Sequence, residues 1–164
     1  MHVAQLMLVE AETAEEAIDA VRSKIIDAEY PSPNWSDWKE IGGRWSGLLG
    51  GANAAPYTDA VCVQQVEEFL KSRQQEMENY LKESEGIDVA DRVKNYDPFA
   101  ELSFGDDGMK MWRMQKVLQM LNDDWTPDTG VYDLEAWSAS LRYFRQRCAL
   151  APEMQFAVVV DFHF

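Results

Sequence analysis

The chain has 164 residues and carries 29 acidic against 15 basic side chains, a formal net charge of −14. This length suits one domain with a hydrophobic core, and we expect a single acidic domain over residues 1–164. No apolar run approaches the ~18 residues that a membrane span requires, and the first residues lack the basic lead of a secretory signal. An acidic chain also lacks the basic face of a phosphate-backbone binder. The composition therefore predicts a cytoplasmic protein with no membrane partner and no direct nucleic-acid binding.

The two cysteines point to no special chemistry. Cys62 and Cys148 stand alone in helix-like segments, without a CxxC pair or a neighbouring histidine. A disulfide framework or a zinc site requires more ligands than these. The pattern predicts two buried, reduced thiols that pack as small apolar side chains.

Both ends of the chain carry strand patterns. Residues 3–9, VAQLMLV, are short and apolar, and residues 156–164, FAVVVDFHF, alternate between two faces. Alternation with β-branched and aromatic residues is typical of a strand, and an apolar terminal strand needs a partner. We therefore expect the two strands to lie side by side in one sheet.

Four helical patterns lie between these strands. The first follows a capping box formed by Thr13 and Glu16. The second is predicted from Thr58 or Asp59 to about Ser84, the third from about Asp107 to Asn122, and the fourth from an N-cap at Asp133. The stripes predicted to be buried are Val63, Val66, Leu70, Met77 and Leu81 in the second helix, Met111, Met114, Val117, Leu118 and Leu121 in the third, and Leu134, Trp137, Leu141 and Phe144 in the fourth.

Residues 30–56 are rich in proline, glycine and tryptophan. Within them, residues 38–41 are predicted to form a short strand, Gly42 and Gly43 a turn or bulge, and residues 48–53 a loop. Together the patterns predict an α+β fold. We expect a small mixed or antiparallel sheet with adjacent N- and C-terminal strands, packed against about four helices, in a ferredoxin-like or related arrangement with a helical insertion.

Nearly all the excess negative charge lies in the first two thirds of the chain. Glu67, Glu68, Glu76 and Glu78 of the second helix contribute much of it. These side chains form either a solvated face that keeps the protein soluble or an acidic surface for a basic partner. The sequence leaves both interpretations open.

The segment WKEIGGRWSG combines tryptophans, paired glycines and an arginine. Gly42 and Gly43 permit positive φ or a close backbone approach. An arginine held between indoles can stack on one of them and still present its planar fork to a carboxylate or phosphate. The alternative is structural, with the tryptophans in or near the core and Arg44 paired to a carboxylate such as Asp161. The tryptophans concerned are Trp35, Trp38 and Trp45.

Asp161 and His163 form the second candidate site. Residues i and i+2 of a strand share a face about 6–7 Å apart. If the terminal strands pair in antiparallel register, His2 comes near His163, and two histidines with one carboxylate could form an acid–base or metal cluster. The alternative is that a strand end in water simply carries polar residues. No cofactor motif is present, and we predict no bound cofactor.

The segment WSDWKEIGGRWSG, together with the closing VVVDFHF, resembles a group of uncharacterised small proteins from bacteriophages and their bacterial hosts. Those proteins combine a GGRW-type motif with a terminal strand that ends in Asp-x-His. The resemblance implies that the two ends of the chain meet in one place, but it implies no reaction. The positions of this sequence that match are Gly42, Gly43, Arg44, Trp45, Asp161 and His163.

The charge distribution and the resemblance favour a non-enzymatic, phage-type accessory protein of the host cytoplasm, as a monomer or a homodimer. It is expected to bind and inhibit a host protein with a basic surface, such as a defence or nucleic-acid enzyme, through its acidic face. The alternative is a small enzyme or ligand-binding domain in which Arg44, Trp45, Asp161 and His163 form a pocket for an anionic, phosphate-bearing molecule. A third interpretation is a structural or oligomer-forming domain with no separate site.

Overall fold

A computed structural model of the chain describes residues 1–28, 36–88, 106–124 and 130–163, together with the single residues 90 and 94. The strands are His2–Glu10 (β1), Trp38–Ile41 (β2), Ala54–Pro56 (β3), Val131–Asp133 (β4) and Gln155–His163 (β5). The helices are Ala14–Val21 (α1), Ala60–Glu83 (α2), Asp106–Leu121 (α3) and Arg142–Leu150 (α4). Trp35 and Phe164, which the sequence analysis assigned to the tryptophan cluster and to the last strand, lie outside the described residues.

The first and last strands form the centre of the sheet. They pair antiparallel along their full length, from His2 opposite His163 to Glu10 opposite Gln155. The order of strands is β2-β5-β1-β4, and β3 also pairs with β5. Because β4 runs parallel to β1 while β2 and β3 run antiparallel to β5, the sheet is mixed. The α+β class and the adjacency of the two terminal strands are confirmed.

The β1–α1–β2 unit is a split β-α-β unit of the ferredoxin-like kind. Its two strands run parallel, and β5 lies between them. The rest of the topology is related to the ferredoxin-like fold but not identical to it, because the strand that lies between β1 and β2 is the last strand of the chain, β5. The short strands β3 and β4 were not predicted.

Helices cover both faces of the sheet. On one face, Val158 and Val160 of β5 pack with Val21 of α1 in one core cluster. On the other face, Val159 packs with Val66 of α2 and with α4 in a second cluster. Coverage on both sides explains why six of the nine residues in each of β1 and β5 are apolar, on both faces of the strands.

Two predicted helix starts are confirmed. Asp59 caps α2 by accepting from the backbone N–H groups of its first turn. Thr13 caps α1 by accepting from the N–H of Glu16 at 3.2 Å, while the Glu16 carboxylate accepts from the N–H of Glu12 rather than from that of Thr13. Among the described helices, none is long and apolar enough to cross a membrane.

The predicted fourth helix is wrong at its start. Asp133 ends strand β4, which pairs with β1, and α4 begins only at Arg142. The Asp133 carboxylate does accept from two following N–H groups as an N-cap would, but Trp137 has a φ of 50°, which stops the turn from continuing as a helix. Four apolar side chains that were predicted to be buried are exposed instead, namely Leu81, Leu118, Leu121 and Trp137.

Candidate functional site

The polar residues of three strands meet at one end of the sheet. In the register of β5, Trp38 lies opposite His163 on one side and His2 opposite His163 on the other. The turn after β2, residues 42–45, returns to Asp161 of β5. We call this group the polar end, defined as His2, Trp38, Asp161, His163 and the turn at residues 42–45. The predicted meeting of His2 and His163 is confirmed.

Asp161 is the fully buried centre of the polar end. Both of its carboxylate oxygens lie 3.1 Å from Nδ1 of His2, and Oδ2 accepts from the backbone N–H of Arg44, also at 3.1 Å. When Asp161 is ionised it can only accept hydrogen bonds, and Nδ1 of His2 is then the donor. The buried carboxylate therefore fixes both the tautomer and the ring orientation of His2.

His163 has a carboxylate partner of its own. Its Nδ1 lies 3.1 Å from Oδ2 of Asp37, and the backbone N–H of Asp37 donates to the His163 carbonyl at 2.7 Å. The His2 and His163 rings are 4.8 Å apart between centroids, and Trp38 stacks on His163 at 5.7 Å. Among the described residues, neither histidine Nε2 has a hydrogen-bond partner. The site thus presents two adjacent imidazoles, each held through Nδ1.

The paired glycines make this geometry possible. Gly42 and Gly43 have φ values of 76° and 50°, in the left-handed region that favours glycine. A Cβ on Gly43 would lie 2.6 Å from Oδ2 of Asp161. Glycine here lets the backbone approach the carboxylate closely enough for the Arg44 N–H to donate. The predicted turn is confirmed, and the group that its backbone approaches closely is the Asp161 carboxylate.

The two described tryptophans of this region are partly exposed. Trp38 and Trp45 are 41% and 36% exposed, so neither belongs to the core. The proposed pairing of the Arg44 guanidinium with Asp161 is wrong, because the Arg44 backbone makes that contact. Within the described part of the chain, the exposed guanidinium has no ion-pair partner. It is available to an anion.

The four glutamates predicted for the acidic face do not share one surface. Glu67, Glu68 and Glu78 are exposed, whereas Glu76 is half-buried and lines a cleft of about 250 Å³ with Arg73. Lys71 and Lys82 are also exposed on α2. On a helix these lysines fall on the same side as the exposed glutamates. The exposed side of α2 is therefore mixed in charge.

The described residues form neither a three-ligand metal group nor an activated thiol. Over the described ranges, no group of three or more His, Cys, Asp or Glu side chains is arranged to hold a metal ion. Both cysteines are free, and burial raises the pKa of the Cys62 thiol to about 11 and that of Cys148 above its ordinary value. A thiol with a raised pKa is a poor nucleophile at neutral pH.

Asp37 is the site residue that the sequence analysis missed. It lies inside the quoted segment, next to Trp38, but nothing in its spacing shows that it faces a histidine. Only the pairing of β2 with β5 brings it to His163. Cross-strand partners of this kind depend on register, which a single sequence does not specify.

The fold and the polar end define an α+β protein with a two-histidine, carboxylate-supported site at one end of a sheet that helices cover on both faces. Compared with protein-family models, with curated proteins and with solved structures, the chain matches none.

Proposed function

We propose that the polar end is a small-molecule site, and that the protein is a ligand-binding domain or small enzyme acting on an anionic, phosphate-bearing molecule. The observation that carries this proposal is the pair of adjacent imidazoles, each with Nδ1 held by a carboxylate at 3.1 Å. This is the arrangement that prepares a histidine for proton transfer at Nε2.

The two histidines are suited to complementary roles. With Nδ1–H donated to Asp161, the His2 ring offers the Nε2 lone pair as a general base. His163, held in the same way by Asp37, can carry a proton on Nε2 and return it to a leaving group. Their ring separation of 4.8 Å allows one ligand to contact both.

The neighbouring side chains supply binding. The Arg44 guanidinium can donate two parallel hydrogen bonds to a phosphate, a geometry that a lysine ammonium cannot reproduce. Trp38, stacked on His163 and 41% exposed, offers an apolar face for the organic part of a ligand. Anchor, acid–base pair and apolar face therefore belong to one end of the sheet.

Histidine resonances test this proposal directly, because the chain has only two histidines. We expect inorganic phosphate or adenosine 5′-monophosphate to shift both imidazole carbon–proton signals saturably in a two-dimensional NMR titration. Arg44→Gln should weaken binding by about 10- to 100-fold, since a charge-assisted hydrogen bond contributes about 1.5–3 kcal/mol. His2→Gln and His163→Gln assign the two signals.

Arg142→Gln is the matched control, because Arg142 is also exposed but lies on α4, and the substitution removes the same charge. Phosphate that moves neither imidazole signal would contradict the proposal. So would an Arg44→Gln variant that binds no more weakly than Arg142→Gln.

A second candidate function is protein binding, in which a phage-type accessory protein inhibits a host enzyme. The exposure of Glu67, Glu68 and Glu78 on one helix supports it. We expect a triple Glu→Gln variant at these positions to lose, at low salt, host proteins that the native chain captures. The control is a triple Glu→Gln variant at the exposed Glu12, Glu15 and Glu153, which removes the same charge from other parts of the surface. Equal capture by both triple variants would exclude a role for the α2 surface.

A further inference from the structure

We propose that His2 and His163 together bind a borderline divalent transition-metal ion, of the class of Cu²⁺, Ni²⁺ and Zn²⁺. The inference uses the imidazoles of the polar end but does not depend on phosphate binding there. It follows from the hydrogen bonds that the two rings make at Nδ1 and from the position of the rings in the sheet.

The hydrogen bonds at Nδ1 of the two rings are of the kind that metal-bound histidines make. A metal-ligating histidine almost always donates its other ring N–H to a carboxylate, a backbone carbonyl or water, which fixes the tautomer and raises the basicity of the ligating nitrogen. His2 makes this contact to Asp161, and His163 makes it to Asp37, both at 3.1 Å. Both Nε2 lone pairs are thereby left for coordination.

The sheet holds the two ligands in place before any ion arrives. His2 and His163 are directly opposite each other on β1 and β5, which pair over nine residues on each strand. Their ring centroids are 4.8 Å apart, and the side chains are 17% and 31% exposed. Preorganised ligands lose little conformational freedom on binding, which favours affinity.

The ligand set selects the class of ion. Imidazole nitrogens suit Zn²⁺, Cu²⁺ and Ni²⁺, whereas Mg²⁺ and Ca²⁺ prefer oxygen ligands. Asp161 and Asp37 are engaged at Nδ1, and the described residues provide no group of three ligands, so water would complete the coordination sphere. The site is therefore expected to exchange its ion, unlike a closed four-ligand structural zinc site.

Calorimetric titration of the full chain with Zn²⁺, together with electron paramagnetic resonance of the Cu²⁺-loaded chain, tests the proposal. We expect one ion per chain and nitrogen coordination from both rings. His2→Gln and His163→Gln should each weaken binding at least about tenfold, because loss of even an outer partner costs about 10- to 100-fold. Asp37→Asn, at a side chain that is 72% exposed, should do so without affecting the fold.

The matched control is Asp19→Asn, which removes an exposed carboxylate from α1 and should leave Zn²⁺ affinity unchanged. A His163→Gln variant that binds as tightly as the native chain would overturn the proposal, because His2 and the chain around it would then hold the ion alone. Absence of Zn²⁺ and Cu²⁺ binding would overturn it as well. Arg44→Gln separates the two proposals, since it should impair phosphate binding and leave Zn²⁺ binding intact.

Discussion

The sheet buries a carboxylate completely at each of its two ends, and the two are stabilised in different ways. Asp161, at the polar end, has a histidine and a backbone N–H as partners. Asp133, at the end of β4, accepts from the Arg147 guanidinium at 2.7 Å. Arg147 also donates from Nε to the buried Gln155, at the start of β5, and so ties α4 to the sheet.

The two carboxylates differ in what their partners can do chemically. A guanidinium is always protonated and has no lone pair to offer, so the Asp133–Arg147 pair can hold helix and sheet together but cannot transfer a proton. An imidazole can both accept and release a proton. A proton could therefore be exchanged through the partner of Asp161 but not through the partner of Asp133.

The largest effect is expected at the structural end. Asp133→Ala removes the buried carboxylate that pairs with Arg147, and breaking a buried pair in this way costs about 3–5 kcal/mol. Urea denaturation should show this loss in the free energy of unfolding. Asp19→Ala, at an exposed pair with Arg22, should change stability by less than about 1 kcal/mol. Equal costs for the two variants would mean that the Asp133–Arg147 pair contributes no more than a surface one.

The next effect concerns the turn at the polar end. Gly43→Ala forces a side chain into the left-handed region, which costs about 1–3 kcal/mol, and directs its Cβ at Asp161. We expect reduced stability and loss of the His2 contact, visible as a shifted imidazole signal. Gly47→Ala is the control, because a Cβ there meets nothing within 4 Å. A stable Gly43→Ala variant with unchanged histidine signals would show that the turn does not support the site.

Much of this architecture could be predicted from local patterns. The alternation of residues 156–164 predicted a strand with two side-chain faces, and in the structure these faces pack in two different core clusters. The caps at Thr13 and Asp59 marked two helix starts. Paired glycines before an arginine indicated the tight turn. Each of these features depends on residues close together in sequence.

What could not be predicted depends on distant partners. The three residues of β4 form a strand only because β1 lies beside them, and that pairing overrides the helix start that Asp133 indicates. Asp37 joins the site only through the pairing of β2 with β5. Similarly, the apolar stripe of α3 gave no sign that Leu118 and Leu121 remain exposed. In such cases the structure is determined by tertiary contacts, which cannot be predicted from local sequence propensity.

A smaller effect is expected when the Asp161 carboxylate loses only its charge. Asp161→Asn keeps an oxygen that can accept from the Arg44 N–H but weakens the contact with His2. The expected cost is about 1.5 kcal/mol, near the lower limit for a hydrogen bond to a charged group. It should be smaller than the cost of Asp133→Asn, measured by the same urea titration. The reverse order would assign the polar end a structural role and weaken the distinction between the two carboxylates.

The smallest effect at neutral pH is expected from the Cys62 thiol, which lies in the core between α2 and the sheet. Its pKa is raised from 9.0 to about 11 in the folded chain because burial disfavours the thiolate. Between these values the folded state binds more protons than the unfolded state, so stability should fall as pH rises from about 9 to about 11. Urea titrations across this range should show the decline in the native chain and a smaller one in Cys62→Ala. A decline of the same size in Cys62→Ala would mean that groups other than this thiol cause the alkaline sensitivity.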